Sequence, residues 1–488
     1  MEPSRAASGR DRISSLSDEL LVTILAGLHS TAAAARTSVL SRRWRRVWTQ
    51  IPDLIFLDDS SSPEAVDSAL AAHSAPAMDT FAVALTDMSR PVSAVRAAAW
   101  LRSAAARAPR EVHLMLPCKE PPPNPEDDVE EDLEVPVLDR TLWLNAKFVY
   151  CYRIRLPPAA AGAFAALRFL SVTLARVGGG DLGRVISTQC LLLVALELSM
   201  LDVDGDVSIR SDTLERLALR VVGVQNRLDV AAPSLEFLHV HGGDYAEARI
   251  AAPMLTEVEW DDGYDPARHR FIGTGRRLDR LAVTQWSRMP PLLERFDAAD
   301  ELSLHLCIEA WPVAYNNLFL ENTKKLPQCK ALTVGLKVMA HSIESCLLRL
   351  LRQCGSVTKL EIELIHPDVP KASLCKYHGC RCVQEEMLRT DNVALDSLQE
   401  VEFHFFTGSS EDTDLVKLLF MCKKTLKRMV INVDDDVAIS EEVHDKIQSF
   451  AHPSTTLEIG GPSSHKRDVC QCKEHDWYHI RQVCQFVH

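Results

Sequence analysis

The sequence lacks any feature that would place it in a membrane or send it through an export pathway. No stretch of its 488 residues approaches the roughly 18 consecutive apolar residues of a membrane-spanning helix, and the first residues, Met1 to Arg5, open no apolar run. Its 14 cysteines lie mostly among leucines, which is typical of reduced, buried thiols. We therefore expect a protein of the cytoplasm, the nucleus or both, with no membrane partner.

Positive charge is scarce in this chain. Its 54 lysine and arginine residues are outnumbered by 67 aspartate and glutamate residues, so the net charge is −13. Residues 1–50 carry eight arginines and four acidic residues, a net charge of +4, which leaves −17 for the remainder. This balance argues against nucleic-acid binding and leaves a partner with a basic patch open.

Recognisable catalytic and metal-binding motifs are also missing. The segment Gly178 to Gly180 lacks the lysine that completes a phosphate-binding loop, and we interpret it as a turn. Two cysteine and histidine groups occur, namely Cys375, His378, Cys380 and Cys382, and Cys470, Cys472, His475, His479 and Cys484. Neither group forms two pairs with zinc-finger spacing. We therefore expect no catalytic residue, no cofactor and no metal site, and hence a protein that is not itself an enzyme.

Two amphipathic helical stretches stand near the N-terminus. The first places Leu20, Leu21, Ile24, Leu25 and Leu28 on one helical stripe. The second does the same for Val39, Leu40, Trp44, Val47 and Trp48, and is backed by Arg42, Arg43, Arg45 and Arg46. About forty residues bury too little apolar surface to stand alone, so this segment needs a partner or a docked domain.

The order of residues in this segment closely resembles the F-box, the helical element that holds a protein on the Skp adaptor of a cullin-type ubiquitin ligase. The resemblance depends on Leu16, Asp18-Glu-Leu-Leu21, Ile24-Leu25 and Ser38-Val-Leu-Ser-Arg-Arg-Trp44. It implies that the adaptor is contacted by Leu16, Leu20, Leu21, Ile24, Leu25, Leu28, Val39, Leu40, Trp44 and Trp48. The alternative is an ordinary two-helix core fragment with a solvated basic face.

One position departs from the F-box pattern. A proline usually follows the leucine at position 16, where it prepares the first helical turn, and here Ser17 stands in its place. Serine is a good helix N-cap, so we expect the same helix to begin there. The strength of adaptor binding is left open by this change.

One short phrase recurs eleven times between residues 165 and 435: an apolar residue, two variable ones, an apolar one, a variable one and an apolar one. Four of its occurrences start at 193, 214, 235 and 255, a spacing within the range of leucine-rich repeats, while later spacings stretch to 30 and 41. The last two apolar positions point to one side of a short strand, and the residue between them points to the other. Stacking of the strands into a parallel sheet would bury the leucines.

The residues between the inward positions are expected to line an open face of that sheet. They are Ser171, Glu197, Ala218, His239, Glu259, Ala282, Ser303, Thr333, Glu361 and Glu402. Four are glutamates and none is basic, so we predict an acidic strip that attracts a target protein with a basic patch. The predicted target-binding residues are Glu197, His239, Glu259, Glu361 and Glu402. Alternatively, these are only solvated strand residues.

The C-terminal part predicts a strand near Leu398, a helix from Asp414, a strand ending near Ile431, a helix over 441–451 and a last strand over 456–459. This order resembles the FBD module of plant F-box proteins. Taken together, the segments resemble the plant F-box/FBD/LRR-repeat family over nearly the whole chain.

This resemblance implies an α/β solenoid in six parts. They are a disordered N-terminus 1–10, an F-box 11–56, a linker with first irregular repeats 57–164, leucine-rich repeats 165–390, an FBD-like module 391–460 and a tail 461–488. The linker contains an acidic, proline-rich loop at 117–136.

Two functions are consistent with these parts. The first is the substrate-recognition subunit of a Skp–cullin–F-box type ubiquitin ligase, in which the F-box binds the adaptor and the repeats bind a target protein. The alternative is a non-degradative interaction scaffold with a weak or vestigial F-box, which only Ser17 favours.

Overall fold

The computed structural model describes residues 13–462, with gaps at 14, 58–60, 88, 118–130, 138–140, 147–151, 163, 221, 242–243, 262–263, 287–290, 309–316, 318–319, 321–325, 339–340, 365–378, 384–392, 394, 423–425 and 435–436. The predicted disordered N-terminus and nearly all of the predicted tail lie outside the described residues. The chain is a mixed α/β protein with two compact units. One unit holds Met1–Ala232 and Asp244–Ala246, and the other holds Pro233–Gly243 and Glu247–His488.

The first unit begins with three short helices, α1 (Asp18–Ala26), α2 (Thr31–Arg36) and α3 (Trp44–Val47). Ser17 is the N-cap of α1, and its Oγ accepts a hydrogen bond of 3.4 Å from the Leu20 amide. The expectation that serine replaces proline without loss of the helix is therefore confirmed. Two 3₁₀ turns, Thr37–Val39 and Trp48–Gln50, follow α2 and α3.

The rest of the first unit is built around parallel strands. Its elements are β1 (Asp53–Phe56), α4 (Pro63–Ala72), β2 (Thr80–Ala84), α5 (Ala94–Ala105), β3 (Glu111–Leu116), β4 (Glu131–Glu134), β5 (Thr141–Ala146), β6 (Tyr152–Arg155), β7 (Phe169–Gly178), α6 (Gly179–Thr188), β8 (Ala195–Asp204), β9 (Val207–Arg210), β10 (Arg216–Arg220) and β11 (Gly223–Ala231). Strands β1, β2, β3, β5, β7, β8 and β10 pair in this order, each parallel to the next. Strands β4 with β6, and β9 with β11, form further parallel pairs.

Part of the predicted acidic loop is ordered structure. Residues 118–130 lie outside the described residues, but Glu131–Glu134 form strand β4 and Leu133 is buried. The Oε2 atom of Glu131 accepts a hydrogen bond of 2.6 Å from the Ala94 amide at the start of α5. The prediction of a loop over 117–136 is therefore wrong at its C-terminal end, because strand pairing and a helix end use these acidic residues.

The triple glycine is not the predicted turn. Gly178 ends β7, and Gly179 begins α6. A Cβ atom on Gly179 would lie 2.5 Å from the Asp206 carbonyl oxygen, and one on Gly183 would lie 2.4 Å from the Ser208 carbonyl oxygen. These glycines therefore let the helix approach the backbone of the following strand segment.

The second unit continues with strands and helices. Its elements, apart from the first three residues of β13, are β12 (Phe237–His241), β13 (Asp244–Ala251), β14 (Glu257–Asp261), β15 (His269–Ile272), β16 (Arg277–Trp286), α7 (Leu292–Arg295), β17 (Ala298–Ile308), β18 (Ala331–Val338), α8 (Ile343–Leu351), β19 (Lys359–Leu364), β20 (Glu400–Phe406), α9 (Ser410–Cys422), β21 (Arg428–Val433), α10 (Glu441–Phe450) and β22 (Thr456–Pro462). Strands β12, β14 and β16 to β22 pair in chain order, and every pair is parallel. The predicted C-terminal order of strand, helix, strand, helix, strand is confirmed.

The recurring phrase supplies the core of both units. In all eleven occurrences the three apolar positions are buried. In the second unit, Leu238 lies opposite Val258, and the two are 0% and 1% exposed. In the first unit, Leu217 lies opposite Leu196, and both are fully buried. The expectation that stacked strands bury the leucines of the phrase is confirmed.

Candidate binding surfaces

Helix α1 carries apolar side chains on its outer side. Leu20 and Ile24 are each 52% exposed, and Leu28, just after the helix, is 46% exposed. Residues four apart lie above one another on a helix, so these three side chains form one row. None of the helices in the described residues is long and apolar enough to span a bilayer.

The row belongs to a larger concentration of exposed apolar residues, which we call the N-terminal apolar surface. Its members are Ile13, Leu20, Ile24, Leu28, Val39 and Leu40, of which Val39 is 82% exposed and Leu40 is 64% exposed. They are six of the thirteen large apolar residues that are exposed in the described part of the chain, although residues 13–40 are a small fraction of it. Such a concentration marks a site where another molecule binds.

The opposite side of this segment is held by the protein itself. Leu21, Leu25 and Val47 are almost completely buried, and α1 packs against α3. The Arg43 guanidinium donates a hydrogen bond of 2.6 Å to Asp18 Oδ1 and another to the Leu16 carbonyl oxygen. These contacts fix the start of α1 relative to the arginine that precedes α3.

The segment is also fixed to the first strand. Thr31 Oγ1, at the start of α2, accepts a hydrogen bond of 2.7 Å from the Ile55 amide of β1. The His73 ring Nε2 lies 2.9 Å from the Ile51 carbonyl oxygen, and burial lowers the pKa of this histidine. The outward direction of Leu20 and Ile24 is therefore set by a fixed attachment to the rest of the unit.

The structure divides the ten residues predicted to bind the adaptor. Leu20, Ile24, Leu28, Val39 and Leu40 are exposed; Leu21 and Leu25 are interior; and Leu16, Trp44 and Trp48 are half-buried. The single stripe predicted for α1 is thus shared between two sides of the helix. Ile13, 57% exposed, was missed because it lies before the helical pattern.

The four glutamates of the predicted acidic strip are half-buried and have basic neighbours, whereas Ser171, Ala218 and Ala282 of the strip are buried. In the first unit, Glu197 lies 3.9 Å from Arg220. In the second unit, His239 Nδ1 lies 3.2 Å from Glu259 Oε2. The sequence prediction considered only the residues between the apolar positions. It therefore missed basic residues at other strand positions, such as Arg220, that pair with these glutamates.

Lys359 compensates two more of the glutamates. Its Nζ lies 2.5 Å from Glu361 Oε1 and 3.5 Å from Glu402 Oε2, and the hydrogen bond to Glu361 raises the pKa of Lys359. Glu402 also accepts a hydrogen bond of 2.9 Å from Asn432 Nδ2. The face is therefore a network of paired polar groups, not a strip of uncompensated negative charge.

On the side of the sheet that carries these glutamates, the ring of a histidine lies over a glycine of the neighbouring strand. Register places His305, Gly335 and Glu363 side by side on β17, β18 and β19. The His305 Nε2 atom lies 2.8 Å from Glu363 Oε2, and a Cβ atom on Gly335 would lie 2.4 Å from the histidine ring. Glycine is required at this position because the ring passes over it.

Two cysteines of the first cysteine and histidine group lie beside a histidine that is distant in the sequence. Cys380 Sγ lies 3.3 Å from His341 Nδ1 and 3.1 Å from Cys382 Sγ, and Cys382 Sγ lies 3.8 Å from the same nitrogen. All three side chains are buried. Cys375 and His378, which the sequence places in the same group, lie outside the described residues. His341 was missed because it lies 39 residues before Cys380 in the chain.

The architecture is that of a mixed α/β protein with leucine-lined parallel strands and an N-terminal helical segment whose apolar side chains face outward. Comparison with known proteins shows that the chain is related to plant F-box/FBD/LRR-repeat proteins, as its sequence predicted. It is similar to an F-box protein of Arabidopsis thaliana, with 29% identity over 255 residues that make up 52% of this chain and 77% of the relative.

Two further relatives from Arabidopsis thaliana extend the similarity. A putative FBD-associated F-box protein is 22% identical over 457 residues, covering 86% of this chain and 97% of the relative. An F-box/FBD/LRR-repeat protein is 27% identical over 293 residues, covering 57% of this chain and 61% of the relative. No family model matches the chain.

Proposed function

We propose that this chain is the substrate-recognition subunit of a Skp–cullin–F-box type ubiquitin ligase. The N-terminal apolar surface would bind a Skp-type adaptor and, through it, a cullin. The observation that carries the proposal is the exposure of Leu20, Ile24, Val39 and Leu40 on a segment that is otherwise firmly packed. A target protein would bind to the strand repeats.

The apolar surface is large enough to provide useful affinity. Burying a fully exposed leucine or isoleucine side chain contributes about 1.5–3 kcal/mol, so burying the exposed half of each provides about 1 kcal/mol. Several such residues together provide a few kcal/mol before the loss of translational and rotational freedom is counted. The exposed Arg36, Arg42, Arg45 and Arg46 accompany them, which favours a partner surface with acidic groups.

The repeat strands suit a receptor better than an enzyme. We infer a leucine-rich-repeat solenoid with an FBD-like C-terminal module over 391–460, because within each unit the strands pair in parallel and largely in chain order. Such a fold presents a broad face, and the target would be held near chemical groups that other subunits supply. The chain itself would then act by positioning.

The polar faces of the strands are our candidates for target binding, through Glu197 in the first unit and through His239, Glu259, Glu361 and Glu402 in the second. Since Glu361 and Glu402 share Lys359, the face would recognise a target by matched hydrogen bonds and ion pairs more than by net charge. Replacement of Glu259 and Glu361 by lysine should weaken target capture at both low and high salt. Unchanged capture at both would place the target elsewhere on the chain.

Capture of a purified Skp-type adaptor and cullin by the full-length chain tests the ligase assignment. The triple variant Leu20→Ala, Ile24→Ala, Val39→Ala should bind the adaptor about 100-fold more weakly. This estimate assumes that each side chain contributes about 1 kcal/mol to the binding free energy. The matched control is Leu191→Ala with Leu192→Ala, since these leucines are also exposed in the first unit.

Two results would contradict the proposal. One is an adaptor affinity that the triple variant leaves unchanged. The other is adaptor binding without cullin recruitment or target ubiquitination, which would favour the interaction scaffold with a weak F-box. Ser17 no longer supports that alternative through loss of the helix, because it caps α1.

A further inference from the structure

A buried group of soft ligands lies where a long connection of the second unit meets a helix. Cys380 and Cys382 lie on the connection between β19 and β20, and His341 lies two residues before α8. Their exposures are 4%, 0% and 7%, so all three are removed from solvent. Three ligand atoms from two separate parts of the chain thus converge in the interior.

The sulfur–nitrogen distances are close to the edges of a tetrahedral zinc site. With Zn–S bonds of about 2.3 Å and Zn–N bonds of about 2.0 Å, tetrahedral geometry separates two sulfurs by about 3.8 Å and a sulfur and a nitrogen by about 3.5 Å. The observed separations between the ligand atoms are 3.1, 3.3 and 3.8 Å. The two sulfur–nitrogen separations, 3.3 and 3.8 Å, lie within about 0.3 Å of the tetrahedral value, and the sulfur–sulfur separation of 3.1 Å is about 0.7 Å shorter than it.

A disulfide between the two cysteines accounts less well for the arrangement. The 3.1 Å between Cys380 Sγ and Cys382 Sγ is about 1 Å longer than a disulfide bond. A disulfide would also leave the position of His341 Nδ1 beside both sulfurs unexplained. Ordinary buried thiols behave instead as small apolar side chains.

The backbone that carries the cysteines is held in place. Asn317 donates from Nδ2 to the Gly379 carbonyl oxygen at 3.1 Å, and its Oδ1 accepts from the Arg381 amide at 3.0 Å. Gly379 has a φ of +82°, which favours glycine and starts the turn into Cys380. The Ser345 hydroxyl donates to the Cys382 carbonyl oxygen. The two cysteines are therefore presented by a turn that is held by hydrogen bonds from Asn317 and Ser345.

We propose that His341, Cys380 and Cys382 bind one Zn²⁺ ion. Two thiolates and an imidazole are a ligand set that zinc prefers, and the remaining position would be taken by water or by Cys346, which is buried in the first turn of α8. The ion would fasten the connection between β19 and β20 to the start of α8. It would be structural, and the proposal does not depend on the assigned ligase function.

Metal content and spectroscopy of the full-length protein test this proposal. Protein purified under reducing conditions should contain about one zinc per site, released by a thiol-modifying reagent and detected with a chromogenic chelator. After removal of zinc, added Co²⁺ should produce thiolate-to-cobalt charge-transfer absorption and the visible bands of tetrahedral cobalt. Zinc added back should remove these bands and raise Tm.

Variants locate the ion. Cys380→Ser, Cys382→Ser and His341→Gln should each abolish or strongly alter the cobalt spectrum, whereas Cys329→Ser, a buried cysteine outside the cluster, should not. Cys346→Ser decides whether that thiolate or water completes the site. Because a variant could fail to fold, the metal-dependent Tm of the wild-type chain provides an independent readout.

Three results would overturn the site. The first is wild-type protein that contains no zinc and gives no cobalt charge-transfer band. The second is a Cys380–Cys382 disulfide, detected as a loss of two mass units from protein purified with its cysteines protected. The third is a cobalt spectrum that survives Cys380→Ser and disappears with Cys472→Ser, which would place the ion in the C-terminal cysteine and histidine group.

Discussion

The N-terminal helical segment and the repeat strands differ in how completely they bury their apolar side chains. In the repeat phrases every apolar position is buried, including Leu238 and Val258. In the helical segment Leu21 and Leu25 are buried, but Leu20 and Ile24 on the same helix are left half exposed. The repeat strands bury their apolar residues against neighbouring strands, whereas the helical segment leaves apolar side chains exposed in the described part of the chain.

The difference follows from how each region is built. A strand in the array has a neighbour of the same pattern on each side, so every leucine meets another, as Leu332 meets Leu302 and Leu360. Among the described elements, helix α1 packs mainly against α3 and the 3₁₀ turn Trp48–Gln50. A helix with apolar residues on more than half of its circumference cannot bury all of them against one neighbour.

The largest expected effect comes from placing a charge inside the repeat core. Leu238→Asp should destabilise the protein by about 3–5 kcal/mol, because a lone carboxylate would be buried without a partner. Chemical denaturation followed by circular dichroism measures the loss. Met254→Asp is the control, since Met254 is 56% exposed in the same unit and should change stability little. Equal denaturation midpoints for the two variants would contradict the assigned register.

Adjacent residues of α1 provide the direct test of the two behaviours. Leu25→Ala should lower the free energy of unfolding by about 2–5 kcal/mol, because it leaves a cavity in the interior. Ile24→Ala should change the free energy of unfolding by less than about 0.5 kcal/mol. It should nevertheless weaken adaptor binding about fivefold, the equivalent of about 1 kcal/mol. If Ile24→Ala proves the more destabilising of the two, the orientation of α1 is wrong.

A methyl group beneath the histidine bridge should have a smaller effect. Gly335→Ala would place Cβ against the His305 ring and should displace it from Glu363, lowering stability by about 1–3 kcal/mol. Gly355→Ala is the matched control, since a Cβ there meets nothing within 4 Å. Thermal unfolding of both variants gives the comparison, and equal Tm values would show that the ring does not cross the glycine.

The smallest expected effect is a pH dependence of the first unit. Burial lowers the pKa of His73 from 6.5, so the folded state holds it neutral while the unfolded state binds a proton more readily. Its contribution is therefore fully present above about pH 6.5 and is lost as pH falls through the lower pKa of the folded state. Urea unfolding of the wild type and of His73→Gln, from about pH 7.5 to about pH 5, measures this contribution. The difference in the free energy of unfolding between the two proteins should become smaller as the pH falls. A difference independent of pH would contradict the shift.

Local patterns predicted much of the architecture. The repeat strands and the C-terminal alternation of strands and helices follow from periodicity and end signals. Ser17 as an N-cap also follows from its own chemistry. The strand Glu131–Glu134 was not predicted, because a single buried residue, Leu133, gives too weak a pattern among acidic neighbours.

The sequence by itself determined which residues enter the repeat core and where α1 begins, because both depend on spacing along a short piece of chain. Only the tertiary structure decided which side of α1 is covered, that Lys359 stands between Glu361 and Glu402, and that His341 reaches Cys380 and Cys382. These outcomes depend on contacts between residues far apart in the chain. Local periodicity carries no information about such contacts, since strand register and the paths of the connections set them.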